Sequence, residues 1–343
     1  AALLPHVANG PDFAELLSEL LGELNASHTG ARHRPRDRQG DETAALGLVY
    51  DTTWTGAGLR VAEVLARGPA DRADSAIEAG TVVTAIDGRP LGEDVNPWAL
   101  LDRKAGRPVL LTLATESGRA PREEVLKPIS LREEASLLYE RWVRGREALA
   151  ERLSQGRIGY VHVRGMGDRS FRRVFRDVLG KHGAKEALVL DTRFNGGGWL
   201  HDDLVTFLGG TEYAWFVPRG KTRGSMGTEP ARRWARPVAV LQNEGNYSDA
   251  HFFPYAFTTL ELGKLVGTPV DGTATAVWWE RLMDPDLVFG IPQVGMQTED
   301  GRYLENLQLE PDVLVFNDPE SVARGEDRQL EAAVRTLLED LDR

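Results

Sequence analysis

The chain has 343 residues, a length that at roughly 150 residues per domain predicts two or three domains with a sizeable buried core. Hydrophobic residues make up 41% and charged residues 27%, which excludes wholesale disorder, and the net charge of −11 disfavours nucleic acid as a partner. Cysteine is absent and no window approaches 18 consecutive apolar residues, so we expect no disulfide, thiolate nucleophile, Cys-ligated metal or membrane-spanning helix.

The N-terminal segment has the periodicity of an amphipathic helix. Apolar side chains recur at helical spacing over residues 13–24, and Gly30 is a plausible end. A helix continuing that far would turn His28 toward the same apolar face, where a lone histidine is more often a core residue than a functional one. Residues 31–43 are charged and nearly free of apolar side chains, which indicates an exposed linker. Residues 1–43 are therefore predicted to form a helical subdomain.

Between residues 44 and 130 the pattern changes to short strands. Asp87-Gly88 is a turn signal, and the β-rich runs are LGLVYD, GLRVAEVL, TVVTAIDG and PVLLTLAT. Predicted helices at SAIEAG and NPWALLDRKAG flank the third run, an order of elements that is similar to a PDZ domain. Such a domain captures an extended peptide at an open sheet edge. The alternative is a small structural β-domain.

From residue 131 onward the chain alternates helices and strands. A helix is predicted over 131–155 and a closing helix over 327–341, and the strands between them are RIGYVHV, ALVLD, PVAVLQ and KLVG. Strands that are apolar on both faces are typical of a parallel sheet covered by helices. The predicted fold class is therefore α/β, in a multi-domain chain.

Two strand ends in this region carry candidate chemistry, because open α/β sheets build their sites beyond the carboxyl ends of strands. ALVLD leads into RFNGGG at residues 193–198, whose exposed N–H groups suit a phosphate or the oxyanion of acyl transfer, or simply form a turn. Neither GxxxxGK[ST] nor a GxGxxG after a strand is present. PVAVLQ leads to Ser248, which taken alone is most simply an N-cap serine.

Three segments together resemble the C-terminal catalytic half of the tricorn-like branch of the S41 serine peptidases. They are Ser27-His28, RFNGGG at 193–198 and Ser248-Asp249, and the flanks GRIGYVHVRGMG, LGKLVGT and the residues around Glu305 are also similar. The resemblance covers nearly the whole chain. It implies a helical subdomain at 1–43 carrying Ser27-His28, a PDZ-like β-rich domain at 44–130, and an α/β sandwich catalytic core at 131–343.

The resemblance also implies a catalytic tetrad. Ser248 aligns with the nucleophile, His28 with the general base, and Ser27 and Glu305 with the groups that orient the histidine. A serine hydroxyl is a poor nucleophile until a base removes its proton, and histidine has a pKa near neutrality. The carboxylate of Glu305 can hold the base in one tautomer through the Ser27 hydroxyl.

By the same resemblance, the N–H groups of Gly198 and Asp249 form the oxyanion hole. Two fixed amides of this kind are worth on the order of 3 kcal/mol each. The triglycine turn then has a reason, because a Cβ there, as at Gly197, would crowd the substrate carbonyl.

The sequence departs from the family at positions that affect specificity and the elbow. Phe216 stands where the archaeal family member has an acidic specificity residue, and this aromatic side chain favours apolar over basic P1 side chains. Candidates to extend the same aromatic wall are Trp199, Trp278 and Trp279. Tyr247 replaces a small residue before the nucleophile. Pro254 is expected to kink the following helix or delay its start.

The sequence thus predicts a serine endopeptidase that hydrolyses peptides or unfolded polypeptides through an acyl-enzyme at Ser248, without a cofactor or metal. The resemblance implies a homo-oligomer, a hexamer as in the archaeal member, in the cytoplasm, with neither nucleic acid nor membrane as a partner. Because the chain does not begin with Met, we expect a piece of a larger, propeller-bearing peptidase.

Two alternatives stay open at this level. Lys264 lies 16 residues after Ser248, so a Ser-Lys carboxyl-terminal processing peptidase is one. The other is a catalytically impaired peptide-binding module of the same fold. A metal-dependent hydrolase is poorly supported, since no HExxH is present and His201-Asp202-Asp203 is predicted to be a solvated helix start.

Overall fold

The computed structural model describes residues 3–35, 40–114 and 121–343, and the chain divides into two compact units. One contains Ala1–Asp37 and Arg146–Arg343, and the other contains Arg38–Gly145. The division falls within the helix Leu131–Leu153, which the sequence predicted over 131–155. In the described residues, no helix combines the length and the apolar character needed to cross a membrane.

The larger unit is built on a parallel sheet of five strands that neighbour one another in chain order. They are Ile158–His162, Ala187–Asp191, Val238–Gln242, Lys264–Gly267 and Val313–Leu314. Every residue of the first three strands is buried, as expected when helices cover both faces of a sheet. The four predicted strands and the mixed α/β class are confirmed.

Helices make up much of the rest of this unit. In the larger unit they are Leu4–His6 (3₁₀), Gly10–Gly22, Asp168–Arg176 with a π turn at Asp177–Lys181, His201–Gly209, Asp249–Thr259, Pro319–Ala323 and Arg328–Leu341. Helix Arg328–Leu341 begins one residue after its predicted start, because the Asp327 side chain caps it by accepting from the Leu330 N–H group. Leu204, Phe253 and Phe257 from two other helices join the strand side chains in one hydrophobic cluster.

Pro254 does not delay the helix that follows Ser248. The helix begins at Asp249 and contains the proline. Proline has no N–H group to donate to the Ala250 carbonyl, and the side-chain amide of Asn246 donates to that oxygen instead, at 3.1 Å. The prediction of a delayed start is therefore wrong, and the lost helical hydrogen bond has a replacement.

The N-terminal helix is shorter than its apolar pattern suggested. It ends at Gly22, and Asn25 and His28 have φ of 49° and 63°, so His28 lies in a turn and not on the helix. Gly30 begins a strand, Gly30–His33, instead of ending a helix. This strand pairs with Leu287–Gly295, which pairs in turn with Thr275–Arg281.

The interpretation of residues 31–43 as an exposed linker is wrong for its first part. Ala31 is buried in a small cluster with Ala14 and Leu287, and the Arg32 guanidinium lies 4.3 Å from the centre of the Trp279 ring. The strand therefore fixes the chain just after His28. Residues 36–39 of the predicted linker lie outside the described residues.

The smaller unit is mostly β-structure. Its strands are Ala44–Ala45, Leu48–Tyr50, Leu59–Val64, Val82–Ile86, Arg89–Pro90, Val109–Ala114, Arg122–Leu126 and Ile129–Ser130. The four predicted strands are present, although residue 115 lies outside the described part of the fourth. A further two-stranded pair, Ala214–Trp215 with Thr228–Glu229, belongs to the larger unit.

The two helices predicted in the smaller unit are largely missing. Only a short 3₁₀ helix, Trp98–Leu101, forms in the second. In SAIEAG, Glu124 accepts from the Ser75 hydroxyl and the Ala76 N–H group, and Thr81 Oγ1 accepts from the Glu78 N–H group. These side-chain bonds hold the segment in an irregular conformation.

Candidate active site

The two turns singled out in the sequence lie side by side in the larger unit. Their strands are neighbours in register, with Asp191 opposite Leu241. The Tyr247 N–H group donates to the Asn195 carbonyl at 2.9 Å, and Asn243 Oδ1 accepts from the Phe194 N–H group at 3.0 Å. The triglycine turn and the Ser248 turn are therefore joined by hydrogen bonds.

Ser248 lies at a strained turn and does not cap its helix. Its φ and ψ are 58° and −122°, and its side chain makes no capping hydrogen bond. A non-glycine residue in such a conformation costs about 1–3 kcal/mol, a strain that concentrates at functional sites. The backbone N–H group of Ser248 donates to Thr273 Oγ1 at 3.0 Å. The geometry is that of a nucleophile elbow, where a serine hydroxyl stands exposed between a strand and a helix.

Ser27, His28 and Glu305 lie together as the sequence predicted. The Ser27 hydroxyl lies 2.9 Å from His28 Nδ1 and donates to Glu305 Oε2 at 3.0 Å. Glu305 also accepts from the N–H groups of Ser27 and Ala274, the latter at 2.6 Å. Since the Ser27 proton goes to the carboxylate, its oxygen is free to accept from Nδ1–H, and His28 keeps Nε2 unprotonated. That tautomer is the one a general base needs.

Two further residues hold the histidine, and neither was predicted. Thr275 Oγ1 lies 3.1 Å from His28 Nδ1 and 2.9 Å from Ser27 Oγ. The Tyr247 hydroxyl accepts from the His28 N–H group at 2.9 Å, and the two rings lie 4.7 Å apart. Tyr247, the residue before Ser248, thus connects His28 to the Ser248 turn. Among the described residues, no hydrogen bond joins Ser248 Oγ to His28. Catalytic hydrogen bonds are often long in the absence of substrate and tighten when it binds.

Burial sets the proton affinity of His28. Loss of solvent around the half-buried ring lowers its pKa below the ordinary 6.5, the Glu305 carboxylate opposes this, and the Arg32 guanidinium adds to the lowering. The ring is therefore neutral, and able to accept a proton, at neutral pH.

The predicted oxyanion donors are free. Within residues 3–35, 40–114 and 121–343, the N–H groups of Gly198 and Asp249 donate to no protein acceptor, whereas that of Gly197 donates to Asn195 Oδ1 at 2.9 Å. Gly197 lies against the elbow, since a Cβ there would be 2.7 Å from Ser248 Cβ and 3.0 Å from the Asp249 nitrogen.

Two of the three glycines, Gly197 and Gly198, are required by the fold of the protein itself, whereas a Cβ on Gly196 would meet nothing within 4 Å. A Cβ on Gly198, whose φ is 147°, would lie 1.9 Å from the Met166 carbonyl oxygen. The explanation that a Cβ would crowd the substrate carbonyl is thus unnecessary at this position. The clash with Met166 and the positive φ already exclude other residues.

A buried ion network anchors the triglycine turn. Arg193 is 1% exposed and its guanidinium pairs with Asp191 at 2.6 Å and with Asp327 at 2.8 Å. Burial opposes ionisation of Asp191, but the charge of Arg193 outweighs it and the pKa of the carboxyl is lowered. Gln329 accepts from the same guanidinium at 3.0 Å. The network ties RFNGGG to the C-terminal helix.

His201 is not the solvated helix start that the sequence suggested. Its Nδ1 bonds the fully buried carboxylate of Asp249, and its side chain is only 16% exposed. Asp202 and Asp203, by contrast, are exposed. Within the described ranges, His, Asp and Glu side chains form no group of three or more that could hold a metal ion.

Three of the four aromatic residues expected to bind substrate are exposed, whereas Trp279 is half-buried and lies under the Arg32 guanidinium. Phe216 is 52%, Trp199 68% and Trp278 59% exposed. Phe216 donates its N–H group to the Gly227 carbonyl within the hairpin of Ala214–Trp215. Trp199 directly follows the triglycine turn, and Phe194, which sequence reasoning missed, is 65% exposed at a φ of 61°.

Comparison with known proteins agrees with this geometry. Residues 157–315 match the model of peptidase family S41. Tricorn protease homolog 1 of Streptomyces coelicolor is 32% identical over 99% of this chain and 32% of its own length. The tricorn protease of Thermoplasma volcanium is 26% identical over 97% of this chain and 32% of its own length.

The fold is also that of a solved tricorn protease. Its crystal structure superposes with a TM-score of 0.84 at 24% identity, covering 100% of this chain and 33% of that one. The chain therefore spans about a third of the length of the relatives it matches. These similarities support a tricorn-like peptidase of family S41, whose domain model matches residues 157–315.

Proposed function

We propose that this chain hydrolyses peptides or unfolded polypeptides through an acyl-enzyme at Ser248. The observation that carries the proposal is the hydrogen-bonded series Glu305–Ser27–His28, which Tyr247 connects to the strained, uncapped Ser248. His28 takes the Ser248 proton through Nε2 as the hydroxyl oxygen attacks the scissile carbonyl carbon. The same proton passes to the amine as the peptide bond breaks, and water then attacks the acyl-enzyme with His28 again as base.

In this mechanism Gly198 and Asp249 stabilise the tetrahedral oxyanion. Their free N–H groups are carried by two turns that touch at Gly197. Fixed donors act on the developing charge without reorganisation, and losing one costs on the order of 10²–10³ in kcat. Gly197 and Phe216 are retained as proposed substrate contacts, with apolar P1 side chains preferred.

The proposal is tested by labelling Ser248 directly. A fluorophosphonate reacts with a serine only when a base activates it, so we expect one stoichiometric adduct on Ser248 and none in Ser248→Ala. Intact mass before and after incubation measures the adduct, and peptide mapping locates it. A folded chain that stays unlabelled would contradict the proposal and favour a peptide-binding module.

The acid limb of the activity profile should reflect His28. The base must be neutral to accept the proton, and its pKa lies below 6.5 because of burial. kcat/KM should therefore fall only as pH drops below about 6.5. Arg32→Gln removes a charge that lowers this pKa, so the limb should move to higher pH in the variant. A wild-type limb above 6.5, or no movement in Arg32→Gln, would contradict the assignment.

Lys264 is poorly placed for the Ser-Lys alternative. It is the first residue of the strand Lys264–Gly267, whereas Ser248 follows the carboxyl end of the neighbouring parallel strand. Its amine lies 3.6 Å from Asp312. The two residues thus lie at opposite ends of the parallel strands.

The wider assignments are also proposals. We infer domains at 1–43, 44–130 and 131–343, with a PDZ-like middle domain, from the order of parts that resembles the family. A cytoplasmic homo-oligomer, hexameric in the archaeal member, rests on the same resemblance. The relatives are about three times longer than this chain, so that their substrates and assembly are only proposed for it.

A further inference from the structure

The carboxylate of Asp249, the residue after Ser248, accepts three hydrogen bonds. It is fully buried and accepts from the N–H groups of Leu200 and His201 and from His201 Nδ1. Its own backbone N–H group is the one proposed for the oxyanion hole. The residue thus presents a donor to the site with its backbone while its side chain bonds another segment.

That other segment carries the second oxyanion donor. Leu200 and His201 lie two and three residues after Gly198, at the start of helix His201–Gly209. The Asp249 carboxylate therefore fixes the spacing between the triglycine turn and the Ser248 turn on the C-terminal side of Gly198. On its N-terminal side, the spacing is fixed by the Tyr247 N–H group, which donates to the Asn195 carbonyl.

The imidazole of His201 is built into this junction. Its ring packs edge-to-face on Trp199 and Phe252, with centroids 5.4 Å and 5.6 Å away. The Asp249 carboxylate raises the pKa of His201, burial opposes this, and the nearby Asp202 and Asp203 add to the rise. A buried carboxylate without such a partner is costly, so His201 compensates the charge that Asp249 brings into the core.

We propose that His201 is a positioning residue for the oxyanion hole. By donating from Nδ1 to the Asp249 carboxylate, it keeps the N–H groups of Asp249 and Gly198 aimed at one point. His201 does not touch the reacting atoms, so it acts on the transition state through the placement of these two donors. The inference rests on the proposed peptidase function and adds to it a residue that lies outside the tetrad.

The test compares two amides that differ only in where they place a donor. An asparagine side chain can present its N–H near the position of Nδ1, whereas glutamine places it near Nε2. We expect His201→Asn to keep kcat within about threefold of wild type. His201→Gln should lose about 10- to 100-fold in kcat, with KM little changed, because misplaced donors weaken only transition-state binding. Thr206→Ala, at an exposed position of the same helix, should match wild type.

Thermal unfolding of the same four proteins separates positioning from stability. The inference holds if kcat separates the Asn and Gln variants while their unfolding midpoints agree. It is overturned if the two variants have equal kcat, or if kcat merely follows the midpoint. Fluorophosphonate labelling of the wild type separates the peptidase proposal from the role proposed for His201. A wild type that stays unlabelled contradicts both. A labelled wild type with equal kcat in the Asn and Gln variants contradicts only the role of His201.

Discussion

Replacing His28 with alanine is expected to lower kcat by on the order of 10⁴-fold or more, with the protein still folded. In the proposed mechanism the ring is the base for Ser248, and its contacts with Ser27 and Thr275, together with Glu305 behind Ser27, hold its Nε2 unprotonated. The effects of catalytic residues that act as a unit on kcat are not additive. Loss of the base alone therefore removes most of the rate enhancement that the whole unit provides. Residual activity would come from the oxyanion donors and substrate binding. Steady-state kinetics on an unstructured peptide measures the loss.

Lys264→Ala is the matched control, because the Ser-Lys alternative makes the opposite prediction for the two variants. In the tetrad mechanism Lys264 only pairs with Asp312, at the end of the parallel strands opposite to Ser248, so Lys264→Ala should keep wild-type kcat. Retained activity in His28→Ala together with lost activity in Lys264→Ala would identify Lys264, and not His28, as the base for Ser248. Circular dichroism of both variants verifies that neither loss comes from unfolding.

The central sheet was predictable from the sequence because its signal is local. Ala187–Asp191 and Val238–Gln242 are continuous apolar runs, and a buried parallel strand requires nothing else. The strand Gly30–His33 was missed, since its polar composition resembles a linker. It is stabilised by pairing with Leu287–Gly290, more than 250 residues away, and by Trp279 under Arg32. Contacts of that separation leave no periodicity in the chain.

The same distinction applies to the site. The motifs pointed to Ser248, His28 and the glycines as candidates, because each lies in a short recognisable segment. Thr275 and Tyr247 contact the histidine from 247 and 219 positions away, and nothing in their own surroundings marks them. His201 was misjudged for a related reason. Its acidic neighbours Asp202 and Asp203 suggested solvent, whereas its partner Asp249 comes from another turn.

The reading of RFNGGG as an oxyanion turn was also incomplete. Sequence reasoning used the glycines and left Arg193 without a role. In the structure Arg193 is buried between Asp191 and Asp327, and Arg146 lies 3.3 Å from the same Asp327. Two cations and two carboxylates thus compensate one another in the core. Removing one member exposes the full cost of burying the others.

Arg193→Ala is accordingly expected to destabilise the larger unit by about 3–5 kcal/mol, the usual cost of leaving a buried charge without its partner. Urea unfolding followed by circular dichroism measures the change. Arg172→Ala is the control, because Arg172 also pairs with an aspartate, Asp168, but its side chain is 78% exposed. Its effect should stay within about 0.5 kcal/mol. Equal effects in the two variants would show that the buried network does not anchor the turn. A large loss confined to Arg193→Ala would show that the unit carrying the proposed oxyanion donors depends for its stability on this buried ion network.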